Sequence, residues 1–218
     1  MDFSQLVDTL PIERRLALAY APRSARTATL ALFALDASLG NLVRATREPM
    51  LGQIKLAWWR EQLGKPADER AQGEPVLALI GQVSDFGQDL RDLVDGWEEL
   101  LAEGAISRDR LAAFAAARGS ACAALARAVG SERFADPARE CGNAWALAEL
   151  AVRLSDPAER ETALALVSET SWRSVALPRT LRPLKVLHGL AIRSQGTSEL
   201  LSGRRDILTA FRLGLLGI

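Results

Sequence analysis

Few side chains in this sequence can do chemistry. There is one histidine, His188, in LKVLHGLAIR, and there are two cysteines, Cys122 and Cys141. Two thiols and one imidazole cannot fill the four-ligand shell of the common zinc sites. A serine–histidine hydrolase would rest on His188 alone, and no GxSxG elbow, GxGxxG turn or GxxxxGK phosphate loop occurs. With no visible partner, His188 reads as a satisfied or surface histidine, and Cys122, among alanines, as a small buried hydrophobe. Glu149 and Arg153 stand four apart, the spacing of a helix salt bridge worth about 0.3–0.5 kcal/mol. Trp58, Trp59 and Arg60 either shape a ligand mouth or sit half in the core. Tyr20, the single tyrosine, either lines a cavity or packs at a helix end.

The elements that must hold these residues are helices. The 218 residues are rich in Ala, Leu, Arg and Glu, and no alternating β-branched run is long enough for a strand. No internal repeat or linker divides the chain, so positions 1–218 read as one all-α domain, a multi-helix bundle. Proline and glycine punctuate it. Helices are expected from Pro11 to about Tyr20, from Arg23 to Thr46, from Pro49 to Leu63, from Pro75 to Val83 and from Gln88 to Glu103. Ser107 caps the next, which ends near Gly130. Asp136-Pro137 and Asp156-Pro157 each pair an Asp N-cap with Pro at the first helical position, and Glu159 adds a capping-box acid. Leu184–Ser194 and Ser202–Leu216 close the chain.

The helix LAAFAAARGSACAALARAV, Leu111–Val129, carries mostly small side chains, and Gly142, Ala144, Ala146 and Ala148 continue the theme. Small residues let two backbones approach closely or leave space for an apolar ligand. Close packing is the simpler account, because interiors rarely keep voids.

The charge balance bounds the partners. Lys+Arg 27 offset Asp+Glu 27, which argues against a dedicated nucleic-acid binder. Two cysteines make no disulfide framework, and MDFSQLVDTLPIERR has acids where a secretory signal has its apolar region. Thr27–Val43 contains Asp36 and Asn41, so it reads as a buried core helix and not as a span. The expected location is cytoplasmic, with peripheral contact to the inner membrane left open. Gly203-Arg204-Arg205 opens a last helix with Leu208, Phe211, Leu213, Leu215 and Leu216. A bundle helix accounts for it; a membrane-surface helix is the alternative.

Two segments are more specific. ALFALDASLGNLVRATREPMLGQIKLAWWREQL, Ala31 to Leu63, and the frame VDGWEELL, SRDRLAAFAAARGSACAALARAVG and CGNAWALAELAVRL together resemble the squalene/phytoene synthase family. The likeness runs from about Tyr20 to the C-terminus and is sharpest in EP-x-LG-x-I-x-L-x-WWRE-x-L. It is strongest toward the family's divergent bacterial branch, to which a mitochondrial complex I assembly factor is also similar. The resemblance implies the isoprenoid synthase fold. In catalytic members it implies head-to-head joining of prenyl diphosphates, with magnesium neutralising the departing diphosphate. Two DxxxD-type motifs on facing helices hold that metal, each aiming an i, i+4 pair of carboxylates inward.

Transferred to this sequence, the first motif falls on Gly40, Asn41 and Arg44, none of them acidic; Asp36 sits four residues before Gly40, outside the ligand register. The second falls on Ala146, Glu149 and Arg153, with its later acid at Pro157. The resemblance therefore implies no magnesium cofactor and a non-catalytic binding or respiratory-complex assembly protein. The alternatives are a residual prenyl transferase and a non-reacting isoprenoid carrier. The motif helices, Arg23–Thr46 and Pro137–Leu154, are expected side by side. Arg44 and Arg153 would then approach one polar pocket, with Glu149 bridging at least one of them.

Overall fold

The computed structural model describes residues 3–101 and 104–217, and among these every regular element is helical. The α-helices are α1 Ser4–Thr9, α2 Ile12–Ala19, α3 Arg23–Ala45, α4 Pro49–Gly64, α5 Pro75–Ile80, α6 Phe86–Asp89, α7 Arg91–Glu98, α8 Arg108–Ala128, α9 Ala135–Arg153, α10 Pro157–Glu169, α11 Arg182–Ser194 and α12 Arg204–Phe211, which runs into a π-turn over Arg212–Leu216. The all-α bundle expected from composition is present. Its buried apolar residues form one continuous core that reaches from Leu10 to Leu213.

The antiparallel pair α8–α9 is the most intimate contact, and the small residues explain it. A Cβ on Gly142 would lie 2.9 Å from Gly119 Cα and 2.7 Å from Cys122 Sγ. The alanine-rich faces thus pack backbone to backbone. Around this pair, α7 lies on α8, α10 and α11 lie on α9, and α4 lies outside α7. The long helix α3 crosses α5, α7 and α8. It is long and apolar enough to span a membrane by composition, but 67% of its most apolar window is buried inside the molecule. Core packing accounts for that apolarity.

Several boundaries differ from expectation for local reasons. The Gln88–Glu103 stretch divides into α6 and α7, and its end at Glu103 lies outside the described residues. The helix from Pro75 stops at Ile80, not Val83. Ser107 does cap α8, accepting from Arg110 N, and Asp156 caps α10, accepting from Ala158 N and Glu159 N. Asp136 does not cap α9: a 3₁₀ turn at Glu132–Phe134 leads into the helix, so Asp136 falls within the first turn. Glu159 forms no capping box and instead accepts from Ile106 N at 2.7 Å, tying the approach to α8 onto α10. The short α1 had no sequence signal strong enough to predict it.

Candidate functional site

The centre of the molecule holds a ring of four charges, each from a different helix. Arg14 comes from α2, Asp36 from α3, Arg118 from α8 and Glu149 from α9. Their exposures are 2%, 1%, 1% and 5%. Arg14 Nη1 lies 2.7 Å from Asp36 Oδ2, paired by charge but off hydrogen-bond alignment. Arg14 Nη2 donates to both oxygens of Glu149 at 3.2 Å. Arg118 Nη1 donates to Glu149 Oε2 at 2.6 Å, and its Nη2 lies 3.1 Å from Asp36 Oδ2. Two cations and two anions alternate and cancel, which is the condition under which buried charge is tolerated.

Aromatic rings enclose the cations. The Arg118 guanidinium lies 4.5 Å from the Trp145 ring and 4.6 Å from Phe114, and Arg14 lies 4.9 Å from Trp145. Cation–π contact strengthens where water is excluded. Trp97 Nε1 donates to Asp36 Oδ1 at 2.8 Å. Gly40 makes that contact possible: a Cβ there would sit 2.8 Å from the Trp97 ring. Arg14 Nε and Trp145 Nε1 are buried without an acceptor.

The electrostatics follow from the geometry. Burial pushes the Glu149 carboxyl upward, but Arg14, Arg118 and Arg153 overcome it and hold the group down at about 2. Burial lowers Arg14, and Asp36, Glu149 and Glu13 more than reverse this. At the rim, Arg153 Nη2 lies 3.0 Å from both Glu149 Oε1 and Glu13 Oε1. Arg153 is therefore a half-exposed closing link, not a ring member.

The sequence-derived positions separate into groups. Glu149 and Arg153 meet as their i, i+4 spacing predicts, so Glu149 bridges one of the two arginines expected, and it also pairs with Arg14 and Arg118. Arg44 stays outside. It is exposed, donates to exposed Asn41 Oδ1 at 2.8 Å, and is lowered by desolvation and by neighbouring Arg153. Ala146 is simply buried. Tyr20 caps the end of α2 and packs its ring against Gly214. Trp59 is core and Trp58 is half-exposed beside it, their rings 5.2 Å apart and T-shaped. Neither they nor Tyr20 borders the ring's cleft, where Trp97 is the tryptophan.

Helices α3 and α9 face each other across large side chains. They meet through Phe33 and Trp145, ring centroids 6.0 Å apart, and through Arg14 and Arg118, which Asp36 and Glu149 share. Arg14, Asp36 and Arg118 were missed as site residues. Their signal was present: each of Asp36 and Arg118 is a charge inside a long apolar or small-residue helix, where only another charge can satisfy it.

Beside the ring lies a cleft of about 150 Å³. Val43, Leu100, Ile106 and Leu150 form apolar walls, Arg118 and Glu149 the floor, and Arg44 and Arg153 the rim. A larger groove of about 580 Å³ between α1 and α3 shares no residue with it. His188 is buried, and burial first, then Lys185, push it down to about 4. Compared with protein families, with curated proteins and with solved structures, the chain finds no match.

Proposed function

We propose that this chain is a non-catalytic relative of the squalene/phytoene synthases that acts by binding, as an assembly protein for a respiratory complex. The observation that carries the reading is the closed ring. Magnesium takes free carboxylate oxygens, whereas Asp36 and Glu149 each face two ring arginines. That donor set does not fit a metal cluster, and it supports a structural role for Glu149, the ring residue that falls on a transferred motif position. The family link and the respiratory partner rest on the resemblance of Ala31–Leu63 and of the later helical frame. The carrier alternative rests on the cleft. At about 150 Å³ it falls below the roughly 300 Å³ at which small-molecule sites begin.

The test has two arms. Purified protein given farnesyl or geranylgeranyl diphosphate with Mg²⁺ should yield no squalene, phytoene or cyclopropyl intermediate. Deleting the gene in its native host should lower the amount of assembled respiratory complex I and leave isoprenoid lipids unchanged. Turnover in the first arm, or depleted isoprenoids with an intact complex in the second, would overturn the reading.

A further inference from the structure

Helix α12 and the π-turn after it have two apolar sides, and the molecule uses one. Inward, Ala210 and Leu213 are buried, and Leu213 lies so close to Gly189 of α11 that a Cβ there would strike it. Outward, Ile207, Leu208, Phe211, Leu215 and Leu216 stand 54–66% exposed. Their spacing at i, i+1, i+4, i+8 and i+9 makes them one strip along the outer face.

The charge around the strip has one sign. Arg204, Arg205 and Arg212 are exposed, and among the described residues no acid forms an ion pair with them. The one acid between Arg204 and Gly217 is Asp206, which turns inward to Arg193 at 2.9 Å and to Gly203 N at 3.0 Å. A hollow of about 210 Å³ between α11 and α12 opens beside Arg212. Its lining includes Lys185, Arg193, Thr209 and Arg212, and no carboxylate.

Three occupants can be weighed on these facts. A second copy docked about a twofold axis would bring six exposed arginines into one interface with no carboxylate of Arg204–Gly217 free to answer them, an accumulation of like charge. A protein partner would have to bring both an apolar groove and an acidic flank. An anionic bilayer supplies an apolar layer under a negatively charged surface, with phosphates for the hollow. The thirteen residues Arg204–Leu216 reach about 20 Å as a helix, too short for the roughly 30 Å hydrocarbon core, so the segment lies in the interface plane.

We propose that the outer face of α12 and its π-turn is a docking surface for an anionic phospholipid bilayer, with a lipid phosphate seated between Arg212 and Lys185. This stands apart from the assembly reading, which survives its loss. The full chain should float with vesicles of phosphatidylcholine mixed with phosphatidylglycerol, much less with phosphatidylcholine alone, and the difference should shrink as salt rises. Arg204→Gln, Arg205→Gln and Arg212→Gln together should lower partitioning by roughly a hundredfold. Leu208→Ser with Phe211→Ser should weaken it comparably, while Met50→Ser with Ile54→Ser on α4 should leave it unchanged. Helix content by circular dichroism controls for folding, and the lipid and salt dependence needs no variant. Failure to float, equal binding to neutral vesicles, indifference to both α12 variants, or a wild-type dimer that Phe211→Ser converts to monomer would overturn the proposal.

Discussion

The charge ring and the outer face of α4 solve opposite problems. In the ring, Arg14, Asp36, Arg118 and Glu149 are withdrawn from water, and each is answered by two opposite charges. On α4, Met50 and Ile54 stand 71% and 60% exposed with Trp58 beside them, apolar groups that the molecule leaves uncovered. In an active site the buried polar groups would be the ones left waiting for a partner. Here the buried charges are balanced, even though Arg14 Nε and Trp145 Nε1 lack acceptors, and the surface holds uncovered apolar groups. The contrast separates buried charge that is matched from apolar surface that is not.

The sharpest way to break this contrast is to remove one ring member. Glu149→Gln leaves Arg14 and Arg118 with one carboxylate between them. Breaking a buried pair costs about 3–5 kcal/mol, so the melting temperature should fall by about 10 °C or more. Replacing all four members together, by Arg14→Met, Asp36→Leu, Arg118→Met and Glu149→Leu, should cost less than that single change. A small effect of Glu149→Gln would mean that the ring is hydrated and open.

Acid should attack the ring through Glu149. Its folded pKa of about 2 lies below its ordinary 4.5, so its contribution is complete above about pH 4.5 and is lost as pH falls toward 2. His188 acts in the same direction at higher pH. Its folded pKa of about 4 lies below 6.5, so the unfolded chain gains its proton first and stability declines from pH 6.5 toward 4. Chemical denaturation across pH should show both declines, and His188→Gln should remove the upper one alone.

A smaller effect tests the packing beside the ring. Gly142→Val pushes α9 off Gly119 and Cys122 and should cost about 1–3 kcal/mol in denaturant titration. The smallest belongs to α4. Met50→Ser with Ile54→Ser should change stability by less than about 0.5 kcal/mol for each residue. A larger loss would show that this face is part of the folded core's support.

The helices were legible because proline, glycine and cap residues act locally, as Ser107 and Asp156 do. Asp136 and Glu159 misled because a preceding 3₁₀ turn and a distant backbone N–H outcompeted the nearest helix end. At the site, Glu149 with Arg153 could be read from spacing on one helix. Arg14, Asp36 and Arg118 could not be joined to them, because their pairing spans up to 135 residues and leaves no periodic trace. The motif register drew attention to Arg44, which faces solvent, and away from Asp36, four residues earlier and buried.

The ring also bears on the order in which the chain can fold. Arg14 emerges first from the ribosome, and its partner Glu149 follows 135 residues later. Until α9 docks, Arg118 and Arg14 share one acid; until α2 docks, Asp36 and Glu149 share one base. Each partial assembly therefore carries a net charge in a nonpolar environment, which raises its free energy above both the unfolded chain and the finished bundle. Contacts this distant in sequence form slowly. A bundle that closes without α2 leaves Asp36 and Glu149 with one base between them, so the charge balance of the ring disfavours closure before α2 docks.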